Sequence, residues 1–423
     1  MRILQINPIV GHSSTGRAVS ELDRYFRQQG HESFVAAMSG YGVDNIYFIG
    51  SSFDRKVHAS LSRITGLEAH FSTGATKKLI KYIENIKPDV IRLGIAHSNY
   101  INIFMLLDYI AKKDIPTCLV LNDCWYFTGK CMHFTTNKCY KWKESCQGCK
   151  YYPKFSLNNK QDDFNKNSVT KVLPTLFFNN SQYMLKKKKE YFERVPRLGV
   201  VGVSDWLTRT AKESILKSAK IIKRIYNWID LKEFYPRENR EEIKEKYNLK
   251  GKYIILGVAS VWIESKGLSS WLKLAEEIDE DSRVVLVGTL EGQNFPERFV
   301  HINQTRDVQE LAEIYSMADV FMTFSMEETF GKASAEALAC GTPVICYNST
   351  ANPELVGEGC GKVVPVGDFN SILSALNEIK QKPKSFYSDY CINYAQNNFK
   401  FENSAEEYLK IFKELTETDN EKN

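Results

Sequence analysis

No window of the chain approaches the roughly 18–20 consecutive apolar residues that a membrane span needs, so a membrane-embedded protein is excluded as a reading. The opening stretch MRILQINPIVGHSSTG holds too short an apolar run before its turn residues to be a secretory signal. The expectation is a chain that stays in the cytoplasm, where its ten cysteines are reduced rather than paired. No segment of repeat length recurs and no heptad pattern is sustained, which removes solenoids and coiled coils. A GxGxxG fingerprint is absent, and no acidic residue is placed to serve a dinucleotide. One-signed charge is scarce too, since a net +5 over 423 residues gives no ground for a nucleic-acid partner.

What is present is an ordinary globular composition, 43% apolar and 25% charged, in a chain longer than one hydrophobic core usually supports. Short apolar strands alternate with amphipathic helices. RILQI at 2–6 ends in a turn, after which Val19, Leu22 and Phe26 recur at helical spacing until Gly30. Strands follow at 89–94 and 117–122. A second series starts near 199–204 and continues at 253–260, 283–288, 319–325 and 343–348. Alternation of this kind gives parallel sheets covered on both faces, so the fold class is α/β with two doubly wound, Rossmann-like domains. The divisions expected are 1–195, 196–385, C-terminal helices at 386–415 packing back on the first domain, and a disordered polar tail at 416–423. The Lys- and Asn-rich stretch 154–170 reads as a loop.

Open α/β sheets bind ligands beyond the carboxyl ends of their strands. The stretch EETFGKASAE at 327–336 sits there, after the strand at 319–325. Gly331 allows close backbone approach and opens a helix whose first N–H groups suit a phosphate. Glu328 precedes that helix, and Glu336 lies about a turn and a half into it. A carboxylate accepts two adjacent hydroxyls, so one glutamate can hold a ribose while the other meets a sugar, with phosphates between them. Spacing alone equally allows two solvated glutamates at a charged helix start.

The run FMTFSMEETFGKASAEALACGTPVICYNSTANPELVGEGCGKVV, with LGVASVWIESKGL and YNWIDLKEFYP upstream, resembles the donor-site signature of family-four retaining glycosyltransferases, which have the GT-B fold. STGRAVSEL, DVIRLGIAHSNYIN and NDCWYFTGKC in the first half resemble the bacterial surface-polysaccharide, colanic-acid-type branch. The resemblance implies two domains facing across a cleft and a metal-independent hexosyltransferase that needs no cofactor. It implies a UDP- or GDP-sugar donor and a saccharide acceptor, lipid-linked in surface-polysaccharide synthesis. Glu336 then matches the ribose ligand and Glu328 the residue facing the donor sugar. Phe330, Gly331 and Lys332 match the loop around sugar and pyrophosphate, and Lys266 the cation that stabilises the leaving diphosphate. Gly16 and the adjoining Thr15 resemble a first-domain loop facing the phosphates. Two positions depart from the pattern. Ser260 and Val261 stand where relatives carry arginine, and Asn122 stands where they carry histidine before Asp123, which leaves His97 as the candidate imidazole near the acceptor.

Cys131, Cys139, Cys146 and Cys149 carry one Cys-x-x-Cys spacing, consistent with a structural zinc site or with simple thiols. Lys186, Lys187, Lys188 and Lys189, near Tyr183, Tyr191 and Phe192, form either a solvated face or an attachment to anionic membrane, which would place the protein at the inner face. A sugar-nucleotide epimerase and a catalytically silent donor-binding subunit are the competing functions.

Overall fold

A computed structural model describes residues 1–149, 175–292, 295–305 and 307–417. The stretch 154–170 and the last six residues of the tail lie outside them. Seven strands build the first sheet: β1 (Arg2–Val10), β2 (Glu32–Gly40), β3 (Ile46–Phe48), β4 (Val90–Leu93), β5 (Thr117–Leu121), β6 (Leu198–Gly202) and β7 (Ile221–Arg224), in the order β3-β2-β1-β4-β5-β6-β7. Six build the second: β8 (Tyr253–Val261), β9 (Ser282–Thr289), β10 (Phe299–Ile302), β11 (Val320–Thr323), β12 (Val344–Tyr347) and β13 (Gly361–Val364), in the order β10-β9-β8-β11-β12-β13. Every pairing is parallel. Both sheets therefore reverse direction once, between β1 and β4 and between β8 and β11.

Parallel strands joined by helical crossovers are covered on both faces, and the central ones are correspondingly apolar throughout. All residues of β4, β5, β6 and β12 are buried. In the first unit Val19, Leu22 and Phe26 of the helix Ser13–Gln28 are buried as their spacing demands. Phe26 also meets Phe412 of the final helix, ring centroids 5.7 Å apart. In the second unit Trp271, Phe324 and Tyr347 form a chain of rings beside β11 and β12.

The division of the chain differs from the sequence expectation in two places. β6 pairs with β5 and β7, so the strand read as opening the second series belongs to the first sheet. The second unit starts at Tyr226, not near 195, and extends to Ser404. Of the C-terminal helices, Lys384–Asn398 stays with the second unit, and the chain joins the first only from Ala405, within the helix Phe401–Thr416. The reason is local. Ser388 on the former donates to the Gly341 carbonyl at 2.9 Å, whereas Tyr408 on the latter lies under the Arg92 guanidinium of β4, 4.9 Å from ring centre.

Candidate functional site

In the second unit the site is assembled by the two loops that leave β8 and β11, the strands flanking the reversal. After Val261 the chain makes one 3-10 turn, Glu264–Lys266, and turns sharply at Gly267 into the helix Leu268–Glu277. Gly267 has φ +77°, and a Cβ there would stand 2.3 Å from the Cβ of Phe324. Only glycine fits, and the tight turn holds Lys266 at the strand end. After β11 the loop runs to Gly331, φ +95°, which opens the helix Lys332–Ala339. A side chain at Gly331 would press on Leu355, 2.8 Å from its Cδ1.

Between these loops lies a cavity of about 220 Å3, lined among others by Ser260, Trp262, Lys266, Glu328, Gly331 and Lys332. The Lys266 ammonium pairs with the Glu328 carboxylate. Both side chains are a quarter to a third exposed, and such pairs contribute about 1 kcal/mol or less to stability. The weight of the pair is chemical: a phosphate entering the cavity offers the ammonium a second anion. At the helix start the Ser334 and Ala335 amides close on the Gly331 carbonyl, while those of Lys332 and Ala333 have no intrahelical acceptor. An anion at this end meets both the amides and the helix dipole.

The loop carrying Glu328 is fixed by the segment after β12, to which the sequence reading gave no role. The Glu328 amide donates to Thr350 Oγ1 at 2.9 Å, and Asn352 Nδ2 donates to the Ser325 carbonyl at 2.9 Å. Ser349 Oγ donates to the Met326 carbonyl. Trp262, also unassigned from sequence, anchors the other wall by donating from its indole nitrogen to the Val287 carbonyl at 3.0 Å.

Two of the sequence candidates sit differently from expectation. Phe330 does not line the cavity with its ring; it is buried between Tyr226 and Phe399, at centroid distances of 5.8 and 5.5 Å. Its role in the loop is packing. Glu336, about one turn beyond the cavity-lining Lys332, is buried, and Tyr315 donates its hydroxyl to Glu336 Oε2 at 3.0 Å. Burial and, after it, the Glu336 charge push the Tyr315 phenol well above its ordinary range. The hydroxyl thus stays protonated and donating. Tyr315 lies 21 residues upstream, beyond the reach of any local pattern.

In the first unit, Thr15 and Gly16 follow β1, His97 follows β4 and Asn122 follows β5, all at carboxyl ends about the first reversal. Gly11 donates its amide to the Gly16 carbonyl at 3.0 Å, and a Cβ at Gly16 would come within 3.1–3.3 Å of Ile9. His97 Nε2 stands 2.8 Å from Asp123 Oδ2, and Asp123 Oδ1 accepts from the Trp125 amide at 2.8 Å. Burial pushes the Asp123 carboxyl up, but His97 and the Trp125 amide outweigh it and leave it below its usual value. Half-buried Asn122 adjoins this pair in sequence. The Asp123 partner was missed from sequence although its signal, Asn-Asp-Cys-Trp, was in view.

The lysine run is not a surface patch. Four consecutive residues sweep about 300° of a helix, so one of them must face inward. It is Lys188, whose ammonium donates to the carbonyls of Trp125, Thr128 and Gly129 at 2.5, 2.9 and 3.3 Å and lies 3.6 Å from the Trp125 ring centre. Lys187 is half-buried over the rings of Phe104, Tyr183 and Tyr191. Only Lys186 and Lys189 are exposed. Nor is a zinc site supported. Burial and, after it, Cys149, Cys146 and Cys139 raise the Cys131 thiol, so the four cysteines lie near one another, but among the described residues no group of three or more His, Cys, Asp or Glu is arranged to hold a metal ion. No described helix is long and apolar enough to cross a membrane.

Residues 239–398 match the family model for glycosyl transferases group 1. Spore coat protein SA of Bacillus subtilis is 26% identical over 50% of this chain and 64% of its own length. The chain thus spans less than two thirds of that curated relative. A glycosyltransferase structure from Rickettsia africae superposes with a TM-score of 0.64 at 15% identity, over 99% of both chains. The structure of Anabaena HepE in complex with UDP and glucose gives a TM-score of 0.63 at 12% identity, over 98% of this chain and 100% of that one. The fold of the whole chain is accordingly GT-B, and residues 239–398 of its second unit are similar to the group 1 glycosyltransferases.

Proposed function

We propose that the protein is a retaining hexosyltransferase that moves a sugar from a UDP- or GDP-sugar to a saccharide acceptor without a metal. The observation that carries this reading is the Lys266–Glu328 pair in the cavity where β8 and β11 diverge, beside a helix start opened by Gly331. In the transfer the bond from the anomeric carbon to the diphosphate oxygen breaks and a bond to the acceptor oxygen forms. Charge grows on the diphosphate as it leaves. Lys266, Lys332 and the first amides of the helix Lys332–Ala339 are placed to take up that charge, which is where a preorganised cation lowers a barrier most. Glu328 faces the sugar, and Glu336 serves the ribose from the buried side of the same helix. Ser260, where relatives carry arginine, leaves Lys266 with the larger share of the work.

In the first unit, Asn122 and the Asp123-held His97 supply hydrogen bonds to acceptor hydroxyls. Binding of UDP and glucose by HepE supports a nucleotide-sugar donor. A lipid-linked acceptor in surface-polysaccharide assembly rests on the likeness of the first half to that branch.

The test is release of nucleoside diphosphate from a panel of UDP- and GDP-sugars, with and without saccharide acceptors. Transfer that falls about 100-fold in Lys266→Ala, with the fold intact, is expected. Conversion of the nucleotide sugar without acceptor would favour an epimerase, and binding without turnover a silent subunit.

A further inference from the structure

The loop that leaves β5 is wrapped around a cation. Lys188 reaches it from the helix Ser181–Glu193, 59 to 63 residues along the chain. An ammonium has three N–H bonds and no acceptor, and Lys188 gives its bonds to three carbonyls, those of Trp125, Thr128 and Gly129. The side chain is fully buried. Taking an ammonium out of water costs several kcal/mol, which an apolar side chain in the same core would avoid. What the cation supplies is direction: three carbonyls converging on one point fix the path of the loop.

That loop carries the Asp123–His97 pair. Trp125 is tied to Lys188 twice, through its carbonyl and through its ring, whose centre lies 3.6 Å from the ammonium. Its amide donates to Asp123 Oδ1 at 2.8 Å, and Asp123 Oδ2 stands 2.8 Å from His97 Nε2. The His97 ring lies 5.5 Å from the Trp125 ring. The next residue, Tyr126, donates its hydroxyl to the carbonyl of Gly94, the residue that follows β4 on the way to His97. The loop therefore grips both members, Asp123 on its own backbone and His97 through the end of β4.

The arrangement selects a tautomer. Burial pushes the Asp123 carboxyl up, but His97 and the Trp125 amide outweigh it and hold it below its usual value. Asp123 is thus an ionised acceptor. A neutral imidazole facing it carries its proton on Nε2 and keeps Nδ1 as an acceptor. We infer that Lys188 is a positioning residue of the acceptor site: it holds the loop 123–129 so that Asp123 fixes His97 in the Nε2–H form, leaving Nδ1 to accept a bond from a sugar hydroxyl. The inference rests on the acceptor role proposed for His97, but its test reads the imidazole in the resting protein and needs no turnover.

The experiment is NMR of the full chain with 15N-labelled histidine, His97 being assigned by its loss in His97→Gln. The wild type should show a carboxylate-bonded Nε2–H proton on His97, absent in Asp123→Ala. In Lys188→Met the exchange of that proton with solvent should rise at least about tenfold, and by more than that of the Val120 amide in β5, because local opening and global unfolding are read separately by exchange. Lys188→Gln, which keeps N–H donors for the carbonyls, should fall between Lys188→Met and the wild type. Lys186→Met, on the same helix, should match the wild type. No bonded Nε2–H in the wild type, or an increase in Lys188→Met no larger than that of the Val120 amide, overturns the proposal. Failure of both Lys188 variants to fold, where Lys186→Met folds, overturns it in favour of a role in the fold alone. The expected exchange together with undiminished sugar transfer by His97→Gln would support the positioning of His97 and overturn its acceptor role.

Discussion

Removing a single oxygen from Tyr315 tests whether Glu336 serves the nucleotide. The Tyr315 ring is fully buried and packs against Phe234 and Phe321 at centroid distances of 6.0 and 5.9 Å. Its backbone is tied independently by Thr342, whose hydroxyl donates to the Tyr315 carbonyl at 2.7 Å. Tyr315→Phe therefore keeps the packing and loses only the 3.0 Å hydrogen bond to Glu336 Oε2. A hydrogen bond to a carboxylate contributes about 1.5–3 kcal/mol. If the carboxylate must be held in one orientation to accept ribose hydroxyls, part of this appears in binding, about tenfold in affinity or ~1.4 kcal/mol. Calorimetry with the donor's nucleoside diphosphate, on Tyr315→Phe, Glu336→Gln and the double variant, reads it. Because Tyr315 acts through Glu336, the double variant should bind no more weakly than Glu336→Gln alone. Additive losses, or a destabilised Tyr315→Phe with unchanged affinity, would refute the reasoning.

The first unit yields two further expectations. Lys188→Met strands three buried carbonyls, so it should lower stability by about 3 kcal/mol or more, whereas Lys186→Met should stay within about 0.5 kcal/mol; equal thermal shifts for the two would contradict the burial of Lys188. Burial, and after it the neighbouring His70, depresses His58 to about 4. The unfolded chain then binds the extra proton between about pH 6.5 and 4 while the folded chain does not. Stability should fall by up to about 3 kcal/mol as pH drops through that window. Urea midpoints at pH 7 and 4.5 measure this, and an undiminished acid loss in His58→Asn would show that another group is responsible.

The sequence made the α/β class legible because alternating apolar strands and amphipathic helices leave few architectures, and the switch-point rule pointed to the strand ends where the cavity lies. It could not show where one sheet ends. β6, LGVVG, is as apolar as any strand of the second sheet, and its membership is fixed by pairing with β5 across a long insertion. Edge strands β3, β10 and β13 were too short or too mixed to stand out. Glu328 and Gly331 stood out because a strand end and a glycine at a helix start leave a local mark, and Lys266 and Lys332 entered through the family resemblance; the structure brings all four to one cavity. Lys188 was misread, and the ring of Phe330 could not be placed, for one reason: composition says what a side chain is, while helix phase and loop path decide which way it faces. Tyr315 and Asn352 escaped because their partners lie 21 and 27 residues away.

The central claim is that the cavity beyond β8 and β11 holds the donor diphosphate through Lys266. Titrating UDP and GDP, and separately uridine and guanosine, into the wild type and Lys266→Ala tests it most directly. The account expects the preferred diphosphate to lose at least tenfold in affinity in Lys266→Ala while the matching nucleoside binds both proteins alike. Equal diphosphate affinity in the two proteins would contradict it.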